Sequence, residues 1–398
     1  MRPFIWALGL LACAGAQASP YANLLDKAWL RLPQAQSQPA REAELDASRA
    51  AASSVFPSPP ALELAHRTDR FNDNAGAREI EAALAMPLWL PGERDARKEL
   101  AASEAQRYSA EQLALRLQLA GELREAIWQV KLAENARTLA LGRLASARQT
   151  EADVARRVKA GDLARSDLLL AQGETMAAQA AIADAEGELA AARQAYTRIV
   201  GDEVLPAVEA EQAETTAAGG DIETHPALAL QRRRVAAAQA RQRLVTQTRR
   251  DNPELSVGTR RERATPDERY TNTVTVALRL PFGTESRNAP RMAAAQAELT
   301  EAEAEYRRQR FDIEQGIRKA LLDVDIARHQ AELAAARHAL AQDNLQLVKK
   351  AFSLGEKSLF EFQRTQALAN EAELAANQAD ITLNRAYARL NQAKGLLP

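Results

Sequence analysis

The stretches Val158-Lys159-Ala160-Gly161-Asp162-Leu163 and Phe352-Ser353-Leu354-Gly355-Glu356-Lys357 decide the fold of this 398-residue chain. Each lies in a long run without internal proline, between Pro91 and Pro206 or between Pro290 and Pro398, that is filled with strong helix formers. Glycine suits the left-handed residue that ends a helix, so each run predicts a helical hairpin that turns at its glycine. The residues from Gly92 to Lys159 alone would form a helix about 100 Å long.

The two runs are related to each other by a fixed offset of 194 residues. Pairs of identical residues at this offset include Pro87 and Pro281, Gly161 and Gly355, and Gly201 and Gly395. No gap is needed across the hairpins, so a single duplication is predicted to cover nearly the whole chain. We expect a first structural repeat at 19–206 with its hairpin at 92–201, and a second at 207–398 with its hairpin at 288–395.

Short stretches of alternating polarity precede each hairpin. From Tyr270 to Leu280 the even positions are mostly apolar and the odd positions polar, and Ile80 to Leu90 alternates against Glu79 and Glu81. We expect strands at about 60–70, 79–90, 253–263 and 270–281. Strands of about 9 to 11 residues with this pattern are typical of a membrane sheet, although a sheet packed on helices has the same periodicity.

Such strands in lipid would need more than one chain. An open sheet edge is not tolerated in lipid, and four strands cannot close, so three copies sharing twelve strands are one solution. Charged residues of mixed sign would then face a hydrated lumen, which is expected to have no strong charge selection; they are Glu63, Arg67, Glu79, Glu81 and Arg279.

The N-terminus has the pattern of a secretory signal. Arg2 precedes an apolar run, and Ala16-Gln17-Ala18 matches the small-x-small cleavage signature, so residues 1–18 are expected to be a signal peptide. Leu10-Leu11-Ala12-Cys13 loosely resembles a lipoprotein box, and the alternative is therefore a lipidated Cys13. In both cases the single cysteine leaves no disulfide to hold the fold.

Composition and motifs disfavour several classes of function. A net charge of -1 argues against nucleic-acid binding, which needs a basic excess. We find no nucleophile elbow, phosphate loop or metal triad, so we expect no enzyme, no catalytic residue and no cofactor. His329 and His338 are nine residues apart, which is not the spacing that places two metal ligands on one helix face, and no metal site is expected.

The layout resembles the TolC-type outer-membrane factor family, also called outer membrane efflux proteins. The resemblance covers essentially the whole chain after the signal. The stretches that carry it are Pro87-Leu88-Trp89-Leu90-Pro91-Gly92, Leu280-Pro281-Phe282-Gly283, and the turns at Val158–Gln172 and Phe352–Gln366. Within the family the chain looks most like the outer-membrane components of cobalt-zinc-cadmium type heavy-metal efflux pumps, because of its compact length and its Pro87–Arg94 stretch.

The resemblance implies a mainly α fold with a small β part. Long α-helical hairpins would form a periplasmic tunnel, and four strands per protomer would contribute to a twelve-stranded outer-membrane β-barrel in a homotrimer. The implied location is the outer membrane, in contact with its lipid. The implied function is export of solutes, with heavy-metal cations as candidate cargo, together with a periplasmic adaptor and an inner-membrane resistance-nodulation-division transporter. The alternatives are a periplasmic adaptor or a coiled-coil spacer.

The resemblance also assigns roles at the two turns. Residues expected to contact the adaptor at the periplasmic tip are Val158, Gly161, Leu163, Asp167, Leu354, Gly355 and Ser358. Candidate gate residues are Phe352, Lys357, Glu361 and Arg364. Ser358 and Glu361 have capping-box spacing, whereas the first repeat has Ala164 in place of the serine, so its returning helix is expected to be capped less firmly, by Asp162 or Ser166. The alternative is that all these residues only cap helices and cover the surface.

Overall fold

The protein is mainly α-helical with one small sheet, as seen in a computed structural model that describes residues 20–207, 211, 222–283 and 285–398. The predicted signal peptide and Cys13 lie outside these residues. The helices are α1 (Pro20–Arg31), α2 (Pro33–Ala52), α3 (Glu93–Ala160), α4 (Arg165–Val200), α5 (Pro226–Gln247), α6 (Glu285–Ser353) and α7 (Leu359–Ala393). The strands are β1 (Ala61–Thr68), β2 (Arg78–Pro87), β3 (Glu254–Arg263) and β4 (Thr271–Arg279). The predicted fold class is confirmed.

The duplication is visible in the order and length of the elements. Each half contains a helical segment, a strand pair, a helix of 68 or 69 residues and a returning helix of 36 or 35 residues. Glycines at equivalent positions have nearly the same left-handed backbone, with φ of 89° at Gly161 and 80° at Gly355. Both long helices therefore end by the same mechanism, as the sequence predicted.

The described residues divide into two units. The hairpin unit consists of those within Met1–Ala35, Arg116–Thr215 and Ile317–Pro398, and the sheet unit of those within Gln36–Leu115 and Thr216–Gly316. In the described ranges, no helix is long and apolar enough to cross a membrane.

The hairpin unit has thin apolar seams in place of one thick core. The largest seam joins one face of α1 to α3 and α4, where Leu123, Ile127 and Tyr196 are fully buried. Alanines such as Ala120 and Ala178 are also fully buried, because a small side chain lets two helix backbones approach closely. This packing explains why an alanine-rich chain can hold such long helices together.

The sheet unit contains a four-stranded antiparallel sheet in the order β1-β2-β3-β4. Its register aligns side chains of like polarity across the strands. One row, for example, runs Leu62, Leu84, Val257 and Val276, and the adjacent row on the opposite face runs Glu63, Ala83, Gly258 and Thr275. β1 and β4 are edge strands, and each has one hydrogen-bonding side that pairs with no other strand among the described residues.

A buried carboxylate fixes the passage from β2 into α3. Glu93 is fully buried and accepts hydrogen bonds from the backbone N–H of Leu90 and from the side chains of Asn252 and Arg97. The Arg97 guanidinium also lies 5.0 Å from the ring of Trp89, whose Nε1 donates to the carbonyl of Val55. The Pro87–Arg94 stretch noted in the sequence is thus a rigid joint between sheet and helix.

Candidate functional site

The second turn, between α6 and α7, is closed on both sides by hydrogen bonds. Gly355 N–H donates to the carbonyl of Phe352 at 3.1 Å and Glu356 N–H to that of Ala351 at 3.0 Å. The returning helix has a complete capping box, since Ser358 Oγ accepts from Glu361 N–H at 3.2 Å and Glu361 Oε2 accepts from Ser358 N–H at 3.2 Å. The predicted capping box is present.

The first turn, between α3 and α4, has nearly the same backbone conformation but makes only one of the two hydrogen bonds of a capping box. Gly161 N–H donates to the carbonyl of Val158 and Asp162 N–H to that of Arg157. Ala164 is the N-cap residue and its methyl group accepts nothing, while Asp167 Oδ2 accepts from Ala164 N–H at 3.1 Å. The expectation that Asp162 or Ser166 caps this helix is wrong, because the extended N-cap backbone falls on Ala164 between them.

The two turns pack on each other through one apolar cluster, which we call the turn cluster. Its buried residues are Val154, Ala171, Phe352, Leu359 and Phe362. The rings of Phe352 and Phe362 stack with centroids 5.1 Å apart and planes inclined by 4°. Arg157 of the first hairpin also contacts Phe352: its guanidinium carbon is 5.0 Å from the ring centroid, and the guanidinium donates to the Phe352 carbonyl. The second turn thus contributes the aromatic core of the cluster.

The structure separates the predicted tip residues into an inner and an outer group. Phe352 is only 8% exposed, and Val158 and Leu163 pack against the same cluster. The remaining residues predicted for the adaptor contact or the gate are exposed or cap a helix; they are Gly161, Asp167, Leu354, Gly355, Lys357, Ser358, Glu361 and Arg364.

The exposed charges of the second turn already interact within one protomer. Lys357 Nζ donates to Glu361 Oε1 at 2.8 Å. This ion pair and the hydrogen bond from Ser358 N–H lower the pKa of Glu361 below its ordinary value. Any gate built from these residues therefore starts with an ionised, paired carboxylate.

Sequence reasoning missed several residues of the tip. Phe362 belongs to the turn cluster and Arg157 contacts the ring of Phe352, and the only signal in the sequence was that Phe362 aligns with the apolar Leu168 at the repeat offset. Near the turns, Phe360 is 65% exposed and Leu169 60% exposed. These apolar side chains extend the exposed surface that Leu354 contributes at the tip.

The polar face of the sheet contains all five of the charged residues predicted to face a lumen. The register adds Glu254, Arg260 and Glu262 to this face, so it has five carboxylates and three guanidinium groups. Arg67 forms an ion pair with Glu79 at 2.9 Å, and Arg260 lies 3.1 Å from Glu79 and 3.6 Å from Glu81. The alternation of β3 could have identified Arg260 and Glu262 from the sequence.

The opposite face of the sheet is apolar and open to solvent in the single chain. Its exposed residues are Leu62, Leu64, Ile80, Leu84, Val257, Val274, Val276 and Leu278, with fractional exposures between 39% and 74%. A soluble single-chain protein rarely exposes a contiguous patch of this kind. The face therefore needs an apolar partner, either protein or lipid.

No cluster of three or more metal-ligating side chains occurs in the part of the chain that the structure describes. His66 lies on β1, His225 caps α5, and His329 and His338 lie on α6. Burial lowers the pKa of His225, which accepts a hydrogen bond from Ala227 N–H in its neutral form.

Comparison with known protein families gives two matches to one family, described as "Outer membrane efflux protein". They cover residues 27–202 and 222–396, which is one match for each half of the duplication. No curated protein is significantly similar to the chain in sequence.

Solved structures of outer-membrane channels share the fold over 94% or 95% of this chain. The structure is similar to CusC, described in a study of folding and transmembrane channel formation, with a TM-score of 0.78, 16% identity, and coverage of 95% of this chain and 92% of CusC. It is also similar to the Campylobacter jejuni CmeC outer membrane channel, with a TM-score of 0.75, 13% identity and coverages of 94% and 85%. For the open state of the Neisseria gonorrhoeae MtrE outer membrane channel the TM-score is 0.73, with 16% identity and coverages of 95% and 89%.

Proposed function

We propose, from the premise that this chain belongs to the outer membrane efflux protein family, that it is the outer-membrane channel of a tripartite efflux system. The family consists of transport channels and not of enzymes. The proposed partners are two further copies of the chain, a periplasmic adaptor and an inner-membrane resistance-nodulation-division transporter. The matching family model is that of an outer membrane efflux protein, and the similar structures include outer-membrane channels, which disfavours the alternatives of a periplasmic adaptor or a coiled-coil spacer.

The observation that carries this proposal is the two-faced sheet with its free edges. An apolar face and a charged face of equal length are what a strand needs between lipid and a water-filled pore. In lipid, the unpaired N–H and C=O groups of β1 and β4 must find partners, and β4 of one copy can pair with β1 of the next. Three copies would close twelve strands.

Engineered cysteines at the sheet edges test this assembly. Ala65→Cys on β1 is combined in turn with Thr271→Cys, Thr273→Cys or Thr275→Cys on β4, all on the polar face. At least one pair should give disulfide-linked dimers and trimers in the outer-membrane fraction. The matched control is Ala65→Cys with Ser256→Cys on the inner strand β3, which should stay uncrosslinked. Chains that remain monomeric and periplasmic would contradict the proposal.

For the cargo we propose cations, with heavy-metal cations as the first class to test. The polar face has more carboxylates than guanidinium groups, and in three copies this excess would favour cations in the pore. The resemblance of the Pro87–Arg94 stretch to heavy-metal pump components supports the same class. Metal ions are cargo in this proposal and need no binding cluster in the channel.

Two measurements test the cargo. The reversal potential of the reconstituted channel in a salt gradient should indicate a preference for cations, and Glu254→Gln with Glu262→Gln should reduce it. Deletion of the gene should lower survival on zinc, cobalt or cadmium more than on a panel of drugs. If the pore selected anions and deletion raised sensitivity to drugs alone, metal cations would not be the cargo. Another class of solute would then take their place in the proposal.

At the tip we propose that the exposed residues serve the gate and the adaptor, and that Phe352, Val158 and Leu163 form the interior that supports them. Glu361→Lys would place a second cation beside Lys357, and repulsion among three copies would widen the aperture. Single-channel conductance should rise. The control is Glu356→Lys, an exposed acid of the same turn outside the capping box, and equal conductance changes in both variants would contradict a specific role for Glu361.

A further inference from the structure

Three arginines lie at the loop end of the apolar face of the sheet. Arg78 on β2 is directly opposite Arg263 on β3, and in the next row Arg261 is opposite Ile80 and Asn272. The apolar rows that contain Val257, Val274 and Val276 follow on the same face. The three arginines thus lie on the same face as the apolar rows, between those rows and the 69–77 and 264–270 loops.

These arginines lack the carboxylate partners that arginines have on the other face. Within the described ranges, none of Arg78, Arg261 and Arg263 forms an ion pair, whereas Arg67 and Arg260 at the same end of the polar face are paired with glutamates. Two like charges directly opposite each other destabilise a sheet. Such an arrangement points to an anion that is supplied from outside the chain.

Two of the four acids in these loops hold the loop backbones, and the other two, Asp73 and Asp267, form no ion pair with any of the three arginines in the described ranges. Asp69 accepts hydrogen bonds from the N–H groups of Gly76 and Ala77, and Glu268 accepts one from Ala264 N–H. Glu262 lies on the polar face. The basic cluster therefore keeps its positive charge at the surface.

An aromatic ring holds two of the guanidinium groups in place. The guanidinium carbon of Arg261 is 4.5 Å and that of Arg263 is 5.0 Å from the centroid of Tyr270. Arg263 also donates a long hydrogen bond of 3.5 Å to the carbonyl of Pro266. Stacking on a ring uses the face of a guanidinium and leaves the N–H groups at its edge to bind phosphate oxygens. Arg261 is exposed, whereas the Nε of Arg263 is buried, so Arg263 offers only its terminal N–H groups.

We propose that Arg78, Arg261, Arg263 and Tyr270 form a binding site for the phosphate of a membrane lipid headgroup. The site adjoins the apolar face of the sheet, so its ligand must have both an anionic group and an apolar part. A phosphorylated lipid is such a molecule. Arginine and tyrosine at the edge of an apolar band match the interfacial depth of headgroups. This proposal rests on the proposed function, because it requires that the apolar face lies in the outer membrane.

The test uses the purified full-length assembly in detergent and native mass spectrometry of bound lipid. The probes are bisphosphorylated lipid A, the same lipid after removal of its phosphates, and inorganic phosphate as competitor. The variant is Arg78→Gln with Arg261→Gln. The matched control is Arg67→Gln with Arg260→Gln, which removes the same charge from the polar face of the same sheet.

The expected result is that wild type and control retain the phosphorylated lipid with equal affinity, and that the variant binds it about tenfold or more weakly. The dephosphorylated lipid should bind equally to all three proteins. Equal loss in variant and control, or no preference for the phosphorylated lipid, would overturn the site. Inorganic phosphate that displaces the lipid at equal concentration would show a soluble anion site and overturn the lipid assignment.

Fractionation of the same cells separates failure of this site from failure of the proposed function. A wild-type protein that is found in the outer membrane but shows no phosphate preference overturns the lipid site alone. A wild-type protein that is found in the periplasm overturns the outer-membrane assignment and the lipid site with it.

Discussion

The two hairpin turns have almost the same backbone but different side-chain support. Both glycines are left-handed, and both turns use the same pair of closing hydrogen bonds. The second turn adds a complete capping box, the Lys357–Glu361 ion pair and the buried ring of Phe352. The first turn has Ala164 in place of Ser358, Leu163 in place of Lys357 and Val158 in place of Phe352.

The two repeats therefore share the backbone conformation of the turn, whereas different side chains stabilise it in each repeat. Glycine and backbone hydrogen bonds are sufficient to reverse the chain, since both turns have them. The second turn holds the aromatic pair of the turn cluster and is capped on both sides. We expect the first turn to open locally at a lower free energy, so that it yields before the second when the tip moves.

The largest effect should come from removing the aromatic ring of Phe352 in the second turn, where the first turn has Val158. Phe352→Ala would delete a buried ring stacked on Phe362 and should lower the local opening free energy by about 3 kcal/mol. Val158→Ala, at the equivalent position, removes less of a half-buried side chain and should cost about 1 kcal/mol. Hydrogen exchange measures each cost at its own turn: the amides in the last turn of α6 and the first turn of α7 for Phe352→Ala, and those in the last turn of α3 and the first turn of α4 for Val158→Ala. Equal costs would mean that the cluster does not depend on the ring.

The next effect should be the same at both turns. Gly355→Val and Gly161→Val each force a β-branched residue into the left-handed region, at a cost of roughly 1 to 2 kcal/mol. A side chain at either position would meet open space, so steric contact adds nothing and the two costs should match. Amide exchange at residues 161–162 and 355–356 compares them. A difference above 1 kcal/mol would show that the turns are not equivalent in solution.

Much of this comparison was predictable from the sequence. Gly161 and Gly355 at a fixed offset predicted two equivalent turns, because glycine is the residue that tolerates this backbone without strain. The capping box of Ser358 and Glu361 followed from spacing alone. The cap of α4 was predicted wrongly, since Asp162 and Ser166 are better capping residues than Ala164, and the conserved geometry of the turn overrides side-chain preference.

The tip contacts could be predicted less well because they join residues far apart in the chain. The resemblance predicted Phe352 as a gate residue, which stays a prediction, and gave no indication that Phe352 contacts Arg157, which is 195 positions away in sequence. The two-faced sheet was predicted from alternation on β2 and β4. The unpaired arginines on its apolar face required the register, since only pairing shows that Arg78 and Arg263 are neighbours.

A smaller effect should follow from exchanging the caps. Ser358→Ala would remove the acceptor for Glu361 N–H and should cost about 1 kcal/mol in local stability. Asp167 N–H donates to the carbonyl of Ala164 at 3.0 Å, so Ala164→Ser should add a second, side-chain acceptor and stabilise the first turn of α4 by up to about 1 kcal/mol. Protection of the amides of Glu361 and Asp167 reports each change. If Ala164→Ser gave no gain, the half box would already be sufficient there.

The smallest effect concerns the Lys357–Glu361 ion pair, which the first turn cannot form because Leu163 stands at the position equivalent to Lys357. The ion pair with Lys357, and then the hydrogen bond from Ser358 N–H, lower the pKa of Glu361 in the folded protein. The stabilising contribution of Glu361 is therefore fully present above its unfolded pKa and is lost as pH falls through its lower folded pKa.

Lys357→Leu, which copies Leu163 of the first turn, removes the larger cause, so the pKa of Glu361 should rise toward the ordinary value while remaining below it. Carbon NMR of the labelled Glu361 carboxyl group measures the titration, and Lys357→Arg is the control because it retains a cation. If Lys357→Leu left the titration unchanged, the ion pair would not persist in solution, and the two turns would differ only in their caps and in the aromatic ring.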